Sequence, residues 1–183
     1  FGDIKKILII GGSQGSKFFD EKITEVMLET SKKLKIEVHQ QVFNKNNKNL
    51  ISQKYEKFGI KHSLFDFDED LFKKINNFDL AITRSGASVI SELAYLTIPF
   101  IAIPFPYAKD DHQYYNAKFY EKRNCCWLIT QKNIDEESFS DKLFKLFSQK
   151  EEYFKKKQNL EEISNQNTWN IVNKKLLDLI NEN

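Results

Sequence analysis

Short apolar runs alternate with longer helical patterns along most of the chain. Ile7 to Ile10 is a continuous apolar run that ends at a glycine pair, which is typical of a strand buried on both faces. Lys17 to Lys33 carries apolar side chains at helical spacing, and the alternation then continues. The pattern predicts strands at 7–10, 36–43, 60–67, 79–83, 99–103 and 125–129, and helices at 17–33, 48–58, 68–76, 87–96, 111–122, 135–148, 150–163 and 167–181.

This order of elements predicts an α/β fold with a doubly wound parallel sheet, Rossmann-like and with right-handed crossovers. The chain has no internal repeat and no low-complexity linker, so we expect residues 1–183 to form one domain. In such sheets ligands bind outside the carboxyl ends of the strands. The turns from strand to helix are therefore the places to look for a binding site.

Composition narrows the class of protein. The chain has 183 residues and 40% hydrophobic content, which argues against disorder, and its net charge of +2 argues against a dedicated nucleic-acid binder. The adjacent Cys125 and Cys126 would point to opposite faces of a strand, which predicts two buried, reduced thiols rather than a disulfide. No apolar run approaches the ~20 residues of a membrane helix. We therefore expect a cytoplasmic domain, and the first residue, Phe1, suggests a fragment of a longer protein.

The first turn of interest, from Gly11 to Ser16, joins a buried strand to a helix. Glycines let the backbone approach a ligand, and a helix N-terminus offers N–H groups and a positive dipole to phosphate. The glycine spacing matches neither the dinucleotide fingerprint nor a P-loop. A merely tight turn remains the alternative.

The second turn, from Thr83 to Ala87, combines small residues with Arg84 and opens another helix. Arg84 could contact phosphate, or could instead be structural and pair with a nearby acid. Glu92 lies two helical turns further on, and an ionised carboxylate suits the two hydroxyls of a ribose. A glutamate on the solvent face of the helix is the alternative.

The third turn, from Pro104 to Gln113, is stiffened by two prolines. Asp110 or Asp111 could cap the next helix, which leaves His112 and Gln113 in its first turn, able to bind sugar hydroxyls. Two other histidines stand in strand-like contexts and are interpreted as structural: His39 and His62.

Together the three turns resemble the C-terminal half of the MurG-like enzymes of glycosyltransferase family 28. The matching motifs are Gly-Gly-Ser-Gln-Gly-Ser, Arg-Ser-Gly-Ala with Glu92, and Pro-Phe-Pro-Tyr followed by Asp-Asp-His-Gln and Asn-Ala, in register from about Ile7 to Ile129. The resemblance implies the GT-B fold, which consists of two Rossmann-like domains, with the donor bound mainly by the C-terminal domain. Residues 1–183 would then be the UDP-sugar donor-binding domain.

The resemblance also implies which residues bind the donor. The loop that faces the diphosphate and the cleft between the two substrates is matched by Ser13, Gln14 and Gly15. The turn beside the phosphates and the donor sugar is matched by Arg84, Ser85, Gly86 and Ala87. Phe67 and Asp68 match the strand end where backbone groups hold uracil. Glu92 matches the carboxylate that takes the ribose hydroxyls, and His112 and Gln113 match the pair that reads the sugar.

The activity implied is inverting transfer of N-acetylglucosamine from UDP-N-acetylglucosamine to undecaprenyl-diphospho-muramoylpentapeptide in peptidoglycan synthesis. The resemblance implies no cofactor and no metal, so the Asp66-Phe67-Asp68 triplet is interpreted as accidental. The acceptor, the general base and the contact with the cytoplasmic face of the inner membrane are expected in an N-terminal domain outside this sequence, and the fragment alone would be inactive. The alternatives are a separate donor-binding subunit of a split enzyme, a non-enzymatic nucleotide-binding domain, and a related enzyme with another UDP-sugar.

Overall fold

The sheet is parallel throughout. The computed structural model describes residues 4–12, 16–66, 71 and 77–166. Its six strands lie in the order β3-β2-β1-β4-β5-β6, with every neighbouring pair parallel. The strands are β1 (Lys5–Ile10), β2 (Ile36–Gln41), β3 (Lys61–Phe65), β4 (Leu80–Thr83), β5 (Phe100–Ala102) and β6 (Cys126–Leu128).

Helices cover both faces of this sheet. They are α1 (Thr24–Ser31), α2 (Lys48–Lys57), α3 (Ala87–Tyr95), α4 (His112–Glu121), α5 (Glu136–Ser148) and α6 (Lys150–Gln166). Alternate side chains of β1 point to opposite faces of the sheet. Ile7 and Ile9 pack in a core with α1, α2 and α5, whereas Leu8 and Ile10 pack in a core with α3, α4 and α6. The predicted doubly wound sheet is confirmed.

All six predicted strands are present, and most differ from the prediction by one or two residues at an end. The first helix departs from regularity, because Phe19–Ile23 is π-helical before α1 begins. The carboxylate of Asp20 in this segment accepts hydrogen bonds from the backbone N–H groups of Phe43 and Asn44, at 3.0 and 3.3 Å, which fastens it to the exit of β2. The predicted helix at 68–76, apart from Leu71, and the predicted helix at 167–181 lie outside the described residues.

The two half-buried histidines and the two cysteines fit the structural interpretation given to them. His62 contacts Ser52 Oγ through Nε2 at 2.8 Å and the carbonyl oxygen of Ile60 through Nδ1 at 2.9 Å, and His39 stacks on Phe65. Both cysteines are free and fully buried. Among the described helices, none is long and apolar enough to cross a membrane.

The thiols should be protected from reagents in the folded protein. Burial raises the pKa of the Cys126 thiol to about 12 and raises that of Cys125, so the reactive thiolate is scarce near neutral pH. We predict that Ellman's reagent labels neither cysteine in native buffer and labels both in guanidinium. Labelling of the native protein as fast as the unfolded chain would contradict the burial of these residues.

Candidate functional site

The carboxyl ends of β1, β4 and β5 open into a cleft of about 640 Å³. This is the point where the strand order reverses between β1 and β4, at which open α/β sheets bind ligands. Its walls come from all three turns singled out in the sequence and from the segment after β6. The described residues that line it are Gly11, Gly12, Ser16, Lys17, Phe18, Phe43, Arg84, Gly86, Ala87, Ser88, Val89, Phe105, Gln113 and Gln131.

Arg84 lies at the centre of this edge and is only 4% exposed. Its Nη1 donates to the carbonyl oxygens of Ile103 and Pro104, at 3.2 and 3.1 Å. Its Nη2 donates to Ser16 Oγ at 3.0 Å and to Gln131 Oε1 at 2.7 Å. One side chain thereby joins the turns that follow β1, β4, β5 and β6.

The charge of Arg84 is not neutralised by any described carboxylate. The guanidinium also lies over the rings of Phe18, Phe19 and Phe105, with its central carbon 5.0 to 5.5 Å from their centroids. Burial lowers the pKa of Arg84 to about 10, which still leaves the group protonated at neutral pH. Of the two roles open for Arg84, pairing with an acid is not observed within the described part of the chain.

The first turn brings its backbone close to Arg84. Gly12 has a φ of +98°, a region that side chains rarely adopt, and a Cβ there would stand 3.8 Å from Arg84 Cβ. Ser13, Gln14 and Gly15 were predicted to face the diphosphate, and they lie outside the described residues. Ser16, which follows them, reaches the cleft and contacts Arg84.

The second turn supplies the start of α3 to the cleft. Gly86 and Ala87 line it directly. Ser85 is fully buried: its carbonyl oxygen accepts from Asn116 Nδ2 at 3.1 Å, and its Oγ has no hydrogen-bond partner among the described residues. Asn116, in α4, therefore fixes this turn against the third one.

Glu92 lies one turn into α3 beyond the cleft wall. It follows Ser88 by four residues and Val89 by three, so it shares the helix face of two residues that line the cleft. Partial burial raises the pKa of its carboxyl group. The predicted uracil residues, Phe67 and Asp68, lie outside the described residues.

The third turn places Gln113 in the cleft wall, where its Oε1 accepts from the backbone N–H of Phe105 at 3.0 Å. His112 is exposed, and its Nδ1 lies 2.8 Å from the carbonyl oxygen of Lys109. The capping prediction was wrong in its mechanism: Asp111 occupies the N-cap position of α4, but its side chain makes no capping hydrogen bond. Asp110 and Asp111 instead both have left-handed backbones, with φ of 52° and 51°, and such strain is often kept at functional sites.

The cleft-lining residues that the sequence analysis did not single out include Ser16, Phe105 and Gln131. The first two stand inside motifs that were recognised, but nothing in the motifs says that their side chains meet Arg84. Gln131 follows β6, and its place at the carboxyl end of a strand was the one signal that could have identified it.

A metal site is not found among the described histidines, cysteines and carboxylates. Asp66, the first member of the Asp-x-Asp triplet, forms ion pairs with Lys45 and Lys48, at 3.3 and 3.9 Å. Its carboxylate thus has cationic partners in the protein itself.

The model of the glycosyltransferase family 28 C-terminal domain matches residues 6–169. A protein of Pelagibacter ubique, named UDP-N-acetylglucosamine–N-acetylmuramyl-(pentapeptide) pyrophosphoryl-undecaprenol N-acetylglucosamine transferase, is 42% identical over 181 residues, which cover 99% of this chain and 51% of that protein. A protein of the same name from Rickettsia bellii is 39% identical over 146 residues, 78% of this chain and 41% of its own length. The chain thus spans about half the length, or less, of these relatives.

The fold also matches a solved structure. The crystal structure of Acinetobacter baumannii MurG superimposes with a TM-score of 0.73 at 23% identity, over 90% of this chain and 50% of that one. At this identity the likeness establishes the fold, and it agrees with the sheet order described above.

Arg84 should contribute to stability through its geometry as well as its charge. Lysine keeps the charge but lacks the planar fork that reaches several acceptors at once. We predict that Arg84→Lys lowers the free energy of unfolding by about 1–3 kcal/mol, because buried acceptors lose their donors. Urea denaturation measures this, with Arg123→Lys, a change at an exposed arginine, as the matched control. Equal effects of the two substitutions would contradict the central place given to Arg84.

Proposed function

Since the chain belongs to the glycosyltransferase family 28 C-terminal domain family, we propose that it binds UDP-N-acetylglucosamine as the donor-binding part of an inverting hexosyltransferase. The observation that carries the proposal is the cleft at the carboxyl edge, where the buried cation of Arg84 has no described carboxylate beside it. A diphosphate is the anionic part of the donor. The walls around Arg84 add the small residues that let phosphate approach the backbone.

The reaction proposed is the one in the relatives' names. The acceptor hydroxyl of the lipid-linked muramoyl-pentapeptide attacks the anomeric carbon of N-acetylglucosamine, the bond to the diphosphate oxygen breaks, and the configuration inverts. Negative charge grows on the departing UDP, which Arg84 and backbone N–H groups at the cleft stabilise electrostatically. The proton of the acceptor hydroxyl passes to a general base. We place that base, and the acceptor site, in a further domain of the enzyme.

The residue roles in this proposal follow the three turns. The residues proposed to bind the diphosphate and the donor sugar are Ser13, Gln14, Gly15, Arg84, Ser85, Gly86 and Ala87. Uracil is bound by Phe67 and Asp68, and the ribose hydroxyls by Glu92. The sugar is recognised by His112 and Gln113. Glu92 is supported by its helical spacing of four and three residues from Ser88 and Val89, which line the cleft. Gln113 is supported by its place in the wall, although its Oε1 is engaged with Phe105 and leaves mainly the amide N–H groups for a sugar.

We propose that the whole enzyme is a peripheral membrane protein. The lipid-linked acceptor and the cytoplasmic face of the inner membrane would be met by the N-terminal domain, and residues 1–183 would act as the donor side. In this proposal helix N-termini, backbone N–H groups and the Arg84 guanidinium stabilise the diphosphate in place of a metal ion.

Calorimetric titration with UDP-N-acetylglucosamine, UDP-glucose and ATP tests the donor site. We predict selective binding of UDP-N-acetylglucosamine, weakened about tenfold or more by Glu92→Ala, because a ribose contact worth about 1.4 kcal/mol is lost. The matched control is Glu161→Ala in the exposed part of α6, which should leave the affinity unchanged.

Two outcomes would contradict the proposal. Equal binding of the three nucleotides would point to a nucleotide-binding domain without sugar selectivity. An unchanged affinity in a well-folded Glu92→Ala protein would remove Glu92 from the ribose site.

A further inference from the structure

Gln131 makes the shortest of the side-chain hydrogen bonds to Arg84. Its Oε1 lies 2.7 Å from Arg84 Nη2, and Gln131 itself is partly buried in the cleft wall. A guanidinium has donors only, so the amide oxygen must face it. Gln131 belongs to the short 3-10 turn Gln131–Asn133 directly after β6.

The acceptors that the described residues offer to Arg84 are all neutral. They are two carbonyl oxygens, one hydroxyl and one amide oxygen. A buried cation is ordinarily paired with a carboxylate, because the pair offsets part of the desolvation cost. Glutamate has nearly the shape of glutamine and would give a stronger, charge-assisted bond at position 131. The neutral amide therefore holds the guanidinium while leaving its charge intact.

The rest of the cleft wall preserves this charge. Its described residues include two cations, Arg84 and Lys17, and no carboxylate. Lys17 pairs with Glu21 at 3.5 Å, and both of those side chains are largely exposed, so solvent screens their interaction. Within the part of this edge that the structure describes, Arg84 is thus a buried positive charge without a carboxylate partner.

We propose that Gln131 is a positioning residue that directs the Arg84 guanidinium toward the cleft without neutralising it, so that the full charge acts on the diphosphate of the donor. This inference rests on the proposed function, since it assigns a task to the residue that holds the anion-binding group. Gln131 itself touches no phosphate in this scheme. Glutamine at position 131, in place of glutamate, lowers the stability of the cleft and raises the affinity of the cleft for an anion.

Two substitutions separate this role from ordinary structural support. Gln131→Glu keeps the hydrogen bond and adds a negative charge, whereas Gln131→Leu removes the bond and adds no charge. We expect Gln131→Glu to weaken binding of UDP about tenfold or more, and Gln131→Leu to weaken it less. If Gln131 served structure alone, the order would be reversed, because glutamate would hold Arg84 better than glutamine does.

The experiment is calorimetric titration of UDP into each purified protein, with urea denaturation alongside. Gln158→Glu, an exposed change in α6, is the control for net charge and should bind UDP like the wild type. Gln131→Glu should unfold at no lower urea concentration than the wild type, so that a loss of affinity cannot reflect misfolding.

The outcomes distinguish the two proposals. Binding of UDP to Gln131→Glu as tight as to the wild type, or tighter than to Gln131→Leu, would overturn the role of Gln131 and leave the donor site standing. Failure of the folded wild-type protein to bind UDP would overturn both.

Discussion

The buried guanidinium of Arg84 is the constraint on which the carboxyl edge of the sheet depends. A charge removed from water needs hydrogen-bond partners, and this one finds them in Ser16, Ile103, Pro104 and Gln131, which belong to different turns. Any shift of one turn would leave a buried charge or a buried acceptor unsatisfied. The Arg84 side chain therefore holds the described parts of these turns in position relative to one another, although most of the turns have no regular secondary structure.

The same interaction links stability to the proposed chemistry. The described partners of Arg84 are neutral, so the group that joins these turns also brings a positive charge with no described carboxylate beside it to the cleft. An anion in the cleft would supply the missing countercharge, and charge that develops on a departing diphosphate would be stabilised further. The chain spans about half the length of its relative from Pelagibacter ubique.

The sequence was informative about elements and much less so about side-chain partners. The apolar run at β1 and the strand-helix alternation predicted the sheet, because burial on two faces leaves a distinctive pattern. The glycine and proline turns pointed to the carboxyl edge, and Arg84 was identified there. Gln131 was missed because its link to Arg84 joins residues 47 positions apart, and no local pattern encodes such a contact. The left-handed backbone at Asp110 and Asp111 was also missed, because aspartate tolerates this conformation without requiring it and no local pattern specifies it.

A structure of the protein with UDP bound is the measurement that tests the central claim most directly. The account predicts the diphosphate in the cleft between the ends of β1 and β4, with a phosphate oxygen within hydrogen-bonding distance of Arg84 or of the backbone N–H groups beside it. The ribose should lie along the face of α3 that carries Glu92. A nucleotide bound at another surface, or seated in the cleft with its phosphates directed away from Arg84, would contradict the account.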